Sequence, residues 1–455
     1  MIHVLLYAAA FAAAISVLVT VHEFGHYWVA RRLGVKVLRF SIGFGKPLWI
    51  WRAGADRTEY VLAAVPLGGY VKMLDEREAP VSREELPRAF NRKPVLSRMA
   101  IVVAGPLFNF LLAIMAYWIM FMLGVIGARP LIGAVAPGSP AAHAGLMANE
   151  EIVAVNGHHT PTWDTTRFAL LDAALDHKPV QLTLRDPQGH QLERTLPPWK
   201  SGALFKDQDL LDVLGVRPWH PSFPPVIGRL VPGDPAQAAG LQVGDRIVAL
   251  NGTPVLDWDT MAGYIRARPG QALRVTVRRG SAERTVVVDI QKAMTDGGAE
   301  GRIGVYPRVP KDLFERVRVM VRYGPAEALG HAFRKTGDMT VRMLQILVRM
   351  VSGEASVRSI SGPITIAKYA GESASMGLSP FLGFLAIVSV SLGVLNLLPI
   401  PILDGGHLLY YLVEIVKGSP VSEKVQMAGQ RLGMVLLVLL MSLAFYNDLR
   451  RLFVG

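Results

Sequence analysis

The sequence predicts an α-helical polytopic membrane protein of about four transmembrane helices, with a repeated α+β module inserted between the second and third spans. Three observations carry this. The 455 residues are 51% hydrophobic with a mean hydropathy of +0.32, too apolar for an ordinary water-soluble chain. Apolar segments at Val4–Val21, Met99–Val125, Leu382–Leu398 and, with its flanks, Leu432–Phe445 are long enough, or nearly so, to cross a hydrocarbon core. The pattern of Pro137–Gly157 recurs 95 residues later, at Pro232–Gly252.

The first apolar segment ends in His22-Glu23-Phe24-Gly25-His26. On a helix, positions i and i+4 share a face, so His22 and His26 aim two imidazoles at one metal ion. Glu23 lies beside them, placed to take a proton from an attacking water. The segment lacks a basic leader and an obvious cleavage site, and cutting it would fall beside the histidine pair, so it is expected to be retained.

The formal charge of +12 would suit nucleic acid, but its distribution points to a membrane instead. Trp28–Arg98 holds 14 Lys and Arg against 7 Asp and Glu, an excess of +7 between the first two spans. Under the positive-inside rule that stretch is cytoplasmic, and the long Gly127–Ser375 region lies outside. Lys417, Lys424 and Arg431 obey this orientation and Arg450 and Arg451 oppose it. Cysteine is absent, which excludes disulfides and thiolate metal ligands.

Within the repeat, Ala144-Gly145-Leu146 and Ala239-Gly240-Leu241 read as short helices closed by glycine. Ile152–Val155 before Asn156-Gly157, and Ile247–Leu250 before Asn251-Gly252, read as strands entering tight turns. Each copy ends on an expected glycine-centred strand, Leu214-Gly215-Val216 and Ile303-Gly304-Val305. The pattern resembles tandem PDZ domains in a permuted strand order. That resemblance implies that Leu214, Gly215, Val216, Ile303, Gly304 and Val305 bind the end of an extended peptide.

The third span runs into Asn396-Leu397-Leu398-Pro399-Ile400-Pro401-Ile402-Leu403-Asp404-Gly405-Gly406-His407. Two prolines one residue apart cannot sit in an unbroken helix, and irregular backbone at membrane depth needs a protein-lined or wet pocket. Asp404 is then an ionisable group in or near hydrocarbon, costly unless paired or bound to metal. Two histidines and a carboxylate leave a fourth position for water, the ligand set of a catalytic zinc site.

These two motifs, with the PDZ-like pair and Pro66-Leu67-Gly68-Gly69-Tyr70-Val71-Lys72-Met73, resemble the bacterial site-two intramembrane zinc metalloproteases of the sigma-E regulator type, over essentially the whole chain. The resemblance implies Zn2+ on His22, His26 and Asp404 and a general base at Glu23. It also implies substrate positioning by Asn396, Pro399, Pro401, Gly68 and Gly69, with an oxyanion role as the other reading of Asn396. The implied substrates are single-span membrane proteins, anti-sigma factors already trimmed by an upstream site-one protease and remnant signal peptides. The PDZ pair would filter or receive them. The implied setting is the bacterial inner membrane, with periplasmic PDZ domains, an active site toward the cytoplasm, contact with the lipid bilayer and no nucleic-acid partner.

The expected organisation follows. Residues 1–30 form the first span, 31–97 a β-rich membrane-associated region and 98–126 the second span. Residues 127–221 and 222–309 form the two PDZ copies, and 310–376 amphipathic helices and a linker. Residues 377–416 form a third segment broken at its Pro-rich motif, and 427–448 the fourth span. Against a silent scaffold stands the presence of Glu23. Against an ion carrier stands the lack of an inverted repeat of broken helices.

Overall fold

A computed structural model describes residues 2–175, 179–198, 210–221, 223–295, 298–309, 315, 317–352 and 362–453. The chain divides into two units. One comprises Met1–Val125 with Val321–Gly455, and the other Ile126–Met320.

The first unit begins with α1 (Ile2–Arg32), β1 (Val37–Ala53), β2 (Thr58–Met73) and α2 (Val95–Leu123). After the inserted unit come α3 (Pro325–Val351), α4 (Pro363–Ser375), α5 (Leu378–Asn396), α6 (Asp404–Lys417) and α7 (Glu423–Phe453). Four helices among the described residues are long and apolar enough to cross a membrane: Leu5–Arg32, Val95–Leu123, Leu378–Asn396 and Glu423–Arg450. With no hydrophobic drive between helices in lipid, close approach needs small side chains. Ala14, Ala113, Ala116 and Ala386 supply them where α1, α2 and α5 meet, beside Leu18, Leu112, Tyr117 and Val390.

The second span was expected to run to Val125. It stops at Leu123, because Gly124 adopts φ +114° and Val125–Ala128 is extended. Amphipathic helices were expected within 310–376, and among the described residues the first of them starts only at Pro325, where proline suits a first turn. Arg318 lies instead on the strand Arg318–Val321, with Arg322 just beyond it. Phe314 and Arg316 fall outside the described residues.

The strands β1 and β2 are folded back on themselves. Trp49–Ala53 pairs with Thr58–Leu62, Arg39–Ile42 pairs with both Glu59–Leu62 and Gly69–Lys72, and Val37 pairs with Met73. Bulges at Gly43 and Gly45, both at φ +89°, make this possible, since the left-handed region is open to glycine. Gly69–Met73 is thereby the last paired segment on its side.

The second unit contains two modules of matching topology, four-stranded sheets in the orders His158–His159, Glu151–Val155, Val180–Arg185, Gln191–Leu196 and Thr253–Pro254, Arg246–Leu250, Ala272–Arg279, Ala282–Asp289. Each has its own apolar core, centred on Ile152, Leu182 and Leu184 in one and Ile247, Val275 and Val277 in the other. Asn149 (φ +69°) and Gly244 (φ +94°) occupy the same left-handed turn position. Asparagine is one of the few side chains that tolerates it, so the sequence difference there leaves the turn intact.

The glycine-centred strands need correction. Gly215 (φ +76°) and Gly304 (φ +78°) take a left-handed conformation and lie just before the strands, not within them. The strands begin one residue later, at Val216–Pro218 and Val305–Pro307, and Leu214 closes a short helix, Leu210–Leu214.

Candidate metal centre

His22 and His26 sit on one face of α1, and both are buried. Asp404 opens α6, because helix α5 ends at Asn396 and the residues up to Leu403 form a tight loop over the start of α6. A Cβ at Gly405 would strike the carbonyls of Leu397 and Leu398, and one at Gly406 would strike that of Ile400. The two glycines are what allow the loop to lie against the helix that carries Asp404.

Nε2 of His22 and Nε2 of His26 are 3.2 Å apart. Oδ2 of Asp404 lies 3.2 Å from the first and 3.6 Å from the second. This oxygen is buried and has no hydrogen-bond partner among the described residues. Tetrahedral ligands at about 2.0–2.1 Å from a zinc ion are separated by about 3.3 Å. Two nitrogens and one oxygen converging at this spacing fit a zinc ion.

Glu23 lines the cavity beside this cluster. It measures about 340 Å3 and is walled also by His26, Asp404, His407 and the edge segment Val71–Met73. Gly69 passes close to Glu23: a Cβ there would come within 3.5 Å of the Glu23 Cγ and collide with the Ser41 carbonyl. Gly68 is held at φ +138° under the ring of Phe44, which stacks on Tyr70. Pro399 is exposed, Asn396 and Pro401 are half-buried, and none of these three lines the cavity.

Sequence reasoning missed a third element. Helix α2 passes directly behind the histidines, and Gly105 makes the approach possible, since a Cβ there would overlap Nε2 of His26. Nδ1 of His26 donates to the Ile101 carbonyl at 2.8 Å, which leaves Nε2 directed at the cluster. Asn109, wholly buried, places its amide 3.0 Å from Nδ1 of His22. The available signal was a lone asparagine in an apolar span, a costly residue that calls for a reason.

In the second module a cavity of about 240 Å3 separates the helix Trp258–Arg266 from the segment Gly301–Tyr306. Ile303, Gly304 and Val305 therefore share one groove with Trp258, Met261 and Ile265. In the first module Leu214 and Val216 are packed in the core, and Gly215 lies against Ser139, which caps the helix Pro140–His143.

A multi-pass membrane protein with a two-histidine, one-carboxylate cluster at the ends of its apolar helices has the architecture of a membrane metallopeptidase. Residues 10–440 match peptidase family M50, and the chain belongs to that family. It is 44% identical to the regulator of sigma-E protease RseP of Escherichia coli over 448 residues, 98% of each chain. It is 45% identical to the protease RseP of Yersinia pestis over 455 residues, 99% of this chain and 100% of the other. A Ralstonia nicotianae protein whose name includes the words zinc metalloprotease is 43% identical over 464 residues, 98% of each chain. The chain is thus a zinc metalloprotease. Among solved structures, a PDZ domain of an SdrC-like protein from Listeria monocytogenes matches 18% of this chain and 82% of its own, at 18% identity and a TM-score of 0.16.

Proposed function

We propose that the protein is a site-two intramembrane protease in a sigma-E type envelope stress pathway, cutting the transmembrane segments of single-span proteins. The convergence of His22, His26 and Asp404 beside Glu23 carries this reading. In it these three residues hold the zinc ion. Bound zinc would lower the pKa of a water to about 7 and polarise the scissile carbonyl. Glu23 takes the proton from the attacking water and passes it to the leaving amine as the C–N bond breaks.

A helical substrate hides its carbonyls in its own hydrogen bonds and must unwind before attack. The unwound strand then needs backbone partners, which the edge segment Gly69–Met73 offers, its Val71–Met73 part on the cavity wall. Gly68, Gly69, Asn396, Pro399 and Pro401 shape the path of that strand.

The names of the relatives support the pathway, with an anti-sigma factor trimmed by a site-one protease as substrate and remnant signal peptides as a second class. The inserted modules act as a PDZ pair that filters or receives the trimmed end, with the groove beside Ile303, Gly304 and Val305 as the better-formed peptide site and Leu214, Gly215 and Val216 as its counterpart. The setting is the inner membrane, with the modules periplasmic and the metal centre toward the cytoplasm.

The test is cleavage of a single-span reporter by purified protein in detergent, wild type against Glu23→Gln. Loss of cutting with zinc retained supports the assignment, whereas equal cutting by both proteins overturns it.

A further inference from the structure

We propose that Asn109 is the positioning residue that fixes which ring nitrogen of His22 faces the metal. This inference rests on the reading that His22 is a zinc ligand. An imidazole that binds metal through Nε2 must carry its hydrogen on Nδ1, and the partner of Nδ1 decides whether it does. For His26 that partner is the Ile101 carbonyl, an acceptor in every circumstance. For His22 it is the Asn109 side chain, whose Nδ2 lies 3.0 Å from Nδ1.

An amide offers either a donor or an acceptor at that position, because a half-turn exchanges its oxygen and nitrogen. With the nitrogen turned toward the ring, Nδ1 must accept and Nε2 carries the hydrogen, which blocks it as a ligand. With Oδ1 turned toward the ring, Nδ1–H donates and the Nε2 lone pair is free. The structure holds the first arrangement, and a half-turn of the amide reaches the second, the one a metal site requires.

Asn109 is 0% exposed, in a helix that crosses apolar surroundings, and its Oδ1 has no hydrogen-bond partner among the described residues. A leucine of similar volume would avoid that loss, so packing alone does not account for the residue. The backbone is fixed independently: the Asn109 carbonyl accepts from Ser389 Oγ at 2.7 Å, which ties α2 to α5 at this level. The side chain is left to serve His22.

The experiment measures zinc affinity by chelator competition on the full-length protein in detergent, with thermal unfolding of the metal-stripped form alongside. Asn109→Leu is expected to weaken zinc binding about 10- to 100-fold while the stripped protein unfolds no earlier than wild type. Asn109→Asp, which keeps an acceptor oxygen for Nδ1–H, is expected to restore affinity to near wild type. Unchanged affinity in Asn109→Leu overturns the proposal. A weakened affinity matched by earlier unfolding of the stripped protein, or no rescue by Asn109→Asp, also overturns it by making the residue structural. His22→Ala separates the two levels: if it binds zinc like wild type, the ligand assignment itself is wrong. If it loses zinc while Asn109→Leu does not, only the role of Asn109 fails.

Discussion

Arg98, at the start of α2, grips Glu414, on α6, with two hydrogen bonds of 2.5 Å and 3.2 Å across 316 positions of sequence. Both side chains are largely withdrawn from solvent, at 12% and 15% exposure, and the guanidinium also covers the Tyr411 ring at 4.8 Å. The pair locks the helix that carries Asp404 to the helix that lies behind the two histidines. Removing one partner leaves a charge with little solvent to stabilise it. Glu414→Ala should therefore lower stability by about 3 kcal/mol, read from denaturant unfolding in detergent, and should reduce cleavage through the misplacement of Asp404.

Gly105→Ala tests the close approach of α2 to the metal centre. Alanine is the better helix former, so helicity by circular dichroism should be unchanged. The added methyl would occupy the space of the His26 ring. Zinc content, measured by elemental analysis, should fall about tenfold or more.

Asp448, near the end of α7, caps a helix to which it does not belong. It accepts from the backbone amides of Gly362, Ile364 and Thr365 at 3.0, 2.9 and 3.1 Å, and from the Thr365 hydroxyl at 2.5 Å. Replacing a capping side chain with alanine costs about 1–2 kcal/mol. Asp448→Ala should speed hydrogen exchange at those amides while leaving exchange in α1 unchanged.

In the second module, Asp245 is buried and receives two hydrogen bonds of 2.7 Å from Arg279. The Arg279 guanidinium holds this carboxyl below the ordinary carboxylate range, against the opposing effect of burial. A carboxyl depressed by folding contributes stability at neutral pH that is lost as pH falls below about 4 and through its folded value. Arg279→Leu should therefore increase exchange at Ile247 and Val277 strongly at pH 7 and much less at pH 3. An equal effect at both values would remove the ion pair from the explanation.

The part of the site that was legible in the sequence is the part with a spacing. His22, Glu23 and His26 announce themselves by one helical turn, and Asp404 by a pair of prolines that no continuous helix tolerates. The modules were legible because they occur twice, and each copy constrains the other. Gly105 and Asn109 had no such signature: their meaning lies in a helix crossing that places them beside residues about eighty positions away. The turn geometry at Gly215 and Gly304 was missed for a different reason. A glycine between apolar residues reads equally as a strand interior or as the turn that precedes a strand, and only φ separates the two.

Under the proposed function, the break in the third apolar segment would also set the depth at which the chemistry occurs. Helix α5 has 19 residues, about 28 Å at 1.5 Å per residue, nearly the full thickness of a hydrocarbon core of about 30 Å. His22 lies 17 residues beyond Leu5, the first residue of the candidate span within α1, a rise of about 26 Å. Under the proposed reading, with the hydrocarbon core starting near Leu5, both measures would put the ligands near one leaflet rather than at the midplane. The bilayer then acts as a ruler. In that reading a bond would be presented for cutting according to its distance from that leaflet, and a change in lipid thickness of about 1.5 Å, one residue of helical rise, would move the cut to the neighbouring peptide bond.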